Sequence, residues 1–308
     1  MERYNYKGIE IIGIDHGFGN IKTRNTHFRT GVIVKDTEPS IATDVVKFED
    51  KYLVVGEDHK SYEPDKVMSD DYYYLTIAAF AKELRVRKIH NANVVIAAGL
   101  PLMWLGEQKE NFKNYLMRNK ELKFEYKDVQ YEINVINAYV FPQGFAAVAG
   151  RMKDYDGMNI LVDIGNGTMN VIYIYDHKPV SSKSYTDQMG VEGCIRKMQA
   201  EILNKMQYKI PYESCEEFLI KGNAALPEKY ISVMDKVARE YVAEIINRLK
   251  EYEYNPEIMR LVVMGGGAGI VKRYIDIPEA RIEYIDDIRA TAVGYEVAAY
   301  TNMQKELM

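Results

Sequence analysis

The chain has 308 residues, 47% of them hydrophobic and 28% charged, which is the make-up of an ordinary soluble globular protein with room for two domains. Its net charge of −5 at pH 7 argues against a chain-wide electrostatic grip on nucleic acid and leaves at most a local basic patch. No apolar run approaches the roughly 18 residues that cross a bilayer, and the first residues lack the apolar core of a secretory signal, so a cytoplasmic location is expected.

Taken in order, residues 10–15 and 21–24 read as a first hairpin, followed by β-prone pieces at 31–34, 45–48 and 52–55. Residues 70–84 have helical spacing and open on an acidic pair, Asp70 and Asp71, that suits a helix N-terminus. A continuous apolar strand at 94–98 precedes an amphipathic helix at 106–117 and a hairpin at 124–126 and 131–136. Residues 142–149 read as a helix opened by Pro142 and rich in alanine. The crossing between halves is placed at 153–157. The second half opens with strands at 160–162 and 171–175 and a further one at 180–184. Helices follow at 190–206 and 227–252, then a buried strand at 261–264 and a last helix from about 288. Cys194 and Cys215 are too few for a zinc site and read as reduced packing residues. Strand clusters alternating with helices indicate an α/β fold. The expected division is a first domain at 1–154, a second at 155–286, and a C-terminal helix at about 287–308 packing back on the first.

One pattern occurs twice. Asp15, Gly17, Gly19 and Asn20 follow the first apolar strand, and Asp163, Gly165, Asn166, Gly167 and Thr168 follow the strand at 160–162. A carboxylate at a strand's exit beside glycines that admit close approach suits phosphate and metal binding. A single such turn is equally a capped β-turn; a matched pair, one per half, points to a duplicated domain. Asp15 and Asp163 are therefore candidates to hold a hydrated Mg²⁺ against nucleotide phosphates. Lys22 sits where an ammonium reaches a phosphate. Gln143 lies between the turns, placed to orient a water for attack on a γ-phosphate. Gly265, Gly266 and Gly267 follow a buried strand and admit a base or ribose. No Walker A sequence occurs, and the scattered histidines form no ligand set.

Five segments together resemble the actin and hexokinase superfamily. Residues 12–23 resemble its first phosphate loop and 161–171 its second; 138–150 and 287–300 resemble its connecting helices, and 261–269 its adenosine loop. Residues 72–84, 97–101 and 218–227 look most like the ParM/StbA group of bacterial actin-like proteins that segregate plasmids. The resemblance implies two ribonuclease H-like domains flanking a nucleotide cleft, with ATP or GTP and Mg²⁺ bound there. By position, Asp15 and Asp163 would organise the metal through water and, with Gln143, the attacking water. Gly17, Gly19, Asn20, Lys22, Gly165, Asn166, Gly167 and Thr168 would hold the phosphates. Gly265, Gly266 and Gly267 would flank the adenosine, and Gly190 to Gly193 the ribose. Two positions depart from the group's pattern. Gln143 stands where ParM often has a glutamate, and Asn170 where an aspartate is common.

The resemblance further implies an ATP hydrolase whose filaments turn over, with a DNA-binding adaptor on a centromere-like site, no membrane contact and little direct DNA binding. The alternatives are a non-polymerising ATPase of the same fold or a small-molecule kinase, which would need a carboxylate base at an acceptor hydroxyl. A chaperone of this fold would carry a peptide-binding domain after the ATPase, which is not expected here.

Overall fold

The computed structural model describes residues 3–57, 65–277 and 281–306. It divides into two compact units, Met1–Arg151 with Arg289–Met308, and Met152–Ile288.

In the first unit, strands β1 (Asn5–Tyr6), β2 (Ile9–His16), β3 (Asn20–Lys22), β4 (His27–Arg29), β5 (Val32–Lys35), β6 (Val45–Phe48) and β7 (Lys51–Val55) lead into helix α1 (Asp71–Arg87). Strand β8 (Asn91–Leu100), helix α2 (Leu105–Leu116), strands β9 (Glu121–Tyr126) and β10 (Val129–Pro142) and helix α3 (Phe145–Ala149) follow. Helix α1 is buried almost all round, from Tyr72 to Arg87, so it serves as core rather than as a surface helix. It stops where Lys88 turns left-handed at φ 58°, with its N–H returned to the Leu84 and Arg85 carbonyls.

The second unit runs β11 (Met158–Ile164), β12 (Met169–Tyr175), β13 (Lys178–Asp187), α4 (Val191–Met206), α5 (Tyr212–Lys221), α6 (Glu228–Glu251), β14 (Arg260–Met264), α7 (Ala268–Tyr274) and β15 (Ile282–Ile285). Helix α8 (Ala290–Glu306) then returns to the first unit, packing on β2, β8 and α3. Residues 307–308, to which the last helix was drawn from sequence, lie outside the described residues.

Five strands of the ten-stranded first sheet repeat the order of the five-stranded second sheet, and β9, β6, β7 and β5 extend the first beyond β10. In the first, β4, β3 and β2 are successively antiparallel, and β8 and β10 continue in parallel. In the second, β13, β12 and β11 are antiparallel, and β14 and β15 continue in parallel. Strands β2 and β11 sit third in each series, flanked on both sides. That is why they read as unbroken apolar runs. Their hairpins share a register too: Asp15 opposes Lys22, and Asp163 opposes Asn170.

Candidate functional site

Each unit builds its turn at the carboxyl end of its central parallel strands, where α/β sheets present ligand-binding groups. In the first unit the buried run of β2 carries Asp15 to that end, almost fully covered. Its cross-strand neighbour Lys22 donates to Oδ2 at 2.9 Å, so the ammonium predicted to reach a phosphate also holds the carboxylate. Gln143 Nε2 donates to the other oxygen, Oδ1, at 3.1 Å. Asp15 is thereby clamped from two sides. The turn is tied beneath by Thr30, whose hydroxyl donates to the Gly17 carbonyl at 2.7 Å and whose N–H donates to that of Gly19 at 3.0 Å. Asn20 opens β3 opposite Arg29.

Gln143 does not start a helix, as the sequence reading placed it. Strand β10 runs through Pro142, and the Gln143 N–H donates to the Leu100 carbonyl at 2.8 Å, prolonging the pairing with β8. Gly144 then takes φ 79°, a left-handed turn that ends the strand, and α3 begins only at Phe145. The glutamine therefore stands on a strand end beside Asp15. Its Oε1 is buried without a hydrogen-bond partner among the described residues.

In the second unit three glycine segments meet around Asp163. Register puts Met264 beside Asp163, so Gly265 falls next to the carboxylate. Gly265 has φ 83°, and a Cβ there would stand 2.5 Å from Asp163 Oδ1 and 2.6 Å from the Ile164 carbonyl oxygen. Gly267 donates to that same carbonyl at 3.0 Å, whereas the space beside Gly266 is open. The hairpin turn closes through the Gly165 N–H on the Thr168 carbonyl at 2.8 Å, with Thr168 buried. Gly190 lies against Asn166 and Gly167. From there the first turn of α4 grips the hairpin, Val191 donating to the Gly165 carbonyl and Glu192 to that of Asn166. Gly193 donates back to the Gly190 carbonyl at 3.2 Å. Asn170 is buried on β12 and accepts from the Thr186 hydroxyl at 2.8 Å.

Three features of the first unit were not read from sequence. His16 closes β2 fully buried, its Nε2 2.8 Å from the Thr76 hydroxyl; burial first, and then Lys66, push the imidazole down to about 3. Lys66 is itself buried and donates to the His16 carbonyl at 2.6 Å. Burial pushes its ammonium down to about 8, Asp15 pulling the other way. Behind β3, a buried charge cluster joins Arg24, Glu10, Glu83 and Arg87 to Glu296 of α8. No local pattern marks Lys66 or Glu296, because their partners are distant in the chain. Cys194 and Cys215 are both free and buried.

Among the described residues no helix is long and apolar enough to cross a membrane. Residues 13–145 match a family of actin-like proteins described by their N-terminal domain, and residues 161–276 match the C-terminal domain of archaeal MreB-like actin homologues. An archaeal actin homologue of Thermoplasma volcanium is 26% identical over 95% of this chain and 99% of its own length. Among solved structures, an archaeal actin homologue in complex with ADP superposes with a TM-score of 0.74 at 21% identity, covering 94% of this chain and 99% of that one. A subunit of a 15-stranded ParM filament from Clostridium botulinum gives 0.73 at 20% identity, covering 98% and 100%.

Proposed function

Since this chain carries the actin-like fold, with ParM and archaeal actin homologues among its structural relatives, we propose that it is an ATPase that assembles into filaments. The filaments form with ATP and Mg²⁺, turn over by hydrolysis and segregate plasmid or other mobile DNA through a DNA-binding adaptor, all in the cytoplasm. The observation that carries this reading is the repetition: one five-strand order in both sheets, each copy with an aspartate last but one in its central strand, beside a glycine turn.

The residues fit the ligand. The orphaned Gln143 Oε1 beside Asp15 is a place where a polar ligand completes the chemistry, and Gly265 lets its strand close onto Asp163 with no room for a side chain between them. A donor set of two carboxylates suits an ion that keeps most of its waters. Asp15 and Asp163 would hold it through those waters, and when bound it neutralises phosphate charge. Gln143 contributes an acceptor oxygen to orient water, and its amide takes no proton. Lys22 holds Asp15 Oδ2 and aims the carboxylate. The Gly165 N–H closes the second turn on the Thr168 carbonyl, which leaves the amides of 166–168, with those of 17–20, to face the phosphates, and the glycines of 190–193 and 265–267 the nucleoside.

Sedimentation with ATP and Mg²⁺, alongside phosphate release, tests this. Protein in the pellet only with nucleotide is expected. A chain that stays in the supernatant well above micromolar concentration at every salt contradicts filament formation, and ADP production that waits on an added sugar or acid indicates a kinase. Asp163→Ala is expected to abolish phosphate release while the far-UV circular dichroism stays unchanged; unchanged release removes Asp163 from the reaction.

A further inference from the structure

The side chain of Lys66 ends in a closed aromatic box. Its Nζ lies 5.4 Å from the ring centre of Phe18, 5.6 Å from that of Tyr72 and 5.9 Å from that of Phe112, which come from the turn itself, α1 and α2. A buried ammonium is costly unless its protons are used. The three ring faces return part of that cost. Packing alone would be better served by an apolar side chain of the same length. Among the described residues the charge reaches one acceptor, the carbonyl of His16, the residue between Asp15 and Gly17.

That contact has a geometric consequence. The peptide unit is planar and trans, so its C=O and N–H point in opposite directions. Drawing the His16 carbonyl into the box turns the Gly17 N–H away from it. We propose that Lys66 is a positioning residue for the first glycine turn, fixing the His16–Gly17 peptide from the buried side so that the turn's amides stand ready for a phosphate. The proposal rests on the reading of this turn as phosphate-binding. Lys66 touches no ligand itself; it acts through the backbone it holds, and Phe18 locks the same turn by closing the box.

Lys66→Met keeps the length and the apolar fit but removes the donor and the charge. Two measurements separate positioning from plain packing. In the ligand-free protein, hydrogen exchange at the amides of residues 16–20 is expected to rise about tenfold, with the melting temperature unchanged or higher. In calorimetric titration with ADP and Mg²⁺, the dissociation constant is expected to rise about tenfold. A Lys66→Met protein with the exchange and affinity of the wild type overturns the proposal. So does a lowered melting temperature with no local change at 16–20, which is what a packing role alone would give. Should the methionine variant fail to fold, Lys66→Gln, whose amide ends one bond short of the carbonyl, carries the same expectations. If the wild type takes up no nucleotide, the functional reading fails, while the exchange measurement still decides whether Lys66 holds the turn.

Discussion

Gln143 shows how a neutral side chain serves at a charged site. Its Nε2 donates to Asp15 Oδ1, which fixes the amide plane and leaves Oε1 where no donor among the described residues meets it. An unmet buried acceptor costs about 1–3 kcal/mol, a cost a bound water or ligand would offset. Truncation to alanine is expected to slow single-turnover phosphate release about a hundredfold, while the ADP affinity changes less than about threefold. A parallel loss of affinity would mean that Gln143 serves binding instead. Gln143→Glu is not expected to restore the rate, although ParM proteins often carry glutamate there. A second carboxylate would replace the donor to Asp15 with a like charge. Asn170 belongs to the same argument: its side chain is occupied by Thr186, so this chain sets an amide, not a charge, opposite Asp163.

At the level of elements, the second-unit site depends on how closely β14 and its glycines approach β11. Gly265→Ala forces a Cβ onto both a carboxylate and a carbonyl at a left-handed φ. It is expected to destabilise the protein by about 2–3 kcal/mol in urea melts and to abolish nucleotide binding. Gly266→Ala, with open space and no such φ, is expected to stay within about 1 kcal/mol of wild type and to fold normally. Equal effects at the two positions would show that backbone freedom of the whole loop, rather than contact at Gly265, is what matters. Strands β2, β11 and β14 were legible in the sequence because each is a continuous apolar run ending at Asp or Gly. The hairpin turns were legible because they recur. Residues 142–149 misled because Pro142 and the alanines suit a helix start, whereas β10 holds its alternation up to the proline and Gly144 breaks it. Helix α7 was hidden by the glycines before it, whose flexibility reads as loop although Ala268, Ile270 and Val271 are buried behind them. Helix α5 and strand β15 are short and gain their apolar partners only through the assembled second core. Lys66 lay out of reach for the same reason: its box is made by three separate segments.

At the level of the molecule, the chain must leave the first unit, build the second, and come back to complete the first with α8. The return is fastened by one carboxylate. Glu296 is fully buried; its Oε1 accepts from Arg87 at 2.6 Å and from the Gly13 N–H of β2 at 3.1 Å, and its Oε2 from Arg24 at 2.5 Å. Burial raises the Glu296 pKa, and the two guanidinium groups pull it back down. Arg87 also bridges Glu83 and Glu10, so three carboxylates share the two buried arginines, with the half-exposed Arg3 at the edge of Glu10. Replacing such a cluster whole can be neutral, but removing one member leaves buried charge without its partner and costs about 3–5 kcal/mol. Glu296→Ala is therefore expected to lower the stability of the first unit by about that amount. Glu296→Gln, which still accepts from Gly13 and one arginine, is expected to cost less. Trp104 is the only tryptophan of the chain and lies in the first unit, so its fluorescence reports that unit alone. The second unit has its own core. In urea, the Trp104 transition of Glu296→Ala is expected at lower denaturant than in the wild type. A later circular dichroism transition, from the second unit, should stay in place. If both probes move together, the units unfold as one body, and the carboxylate stabilises the whole chain rather than the first unit. If neither moves, α8 is held by its apolar packing on Ile11, Val95 and Ala97, and the ion cluster adds nothing to it.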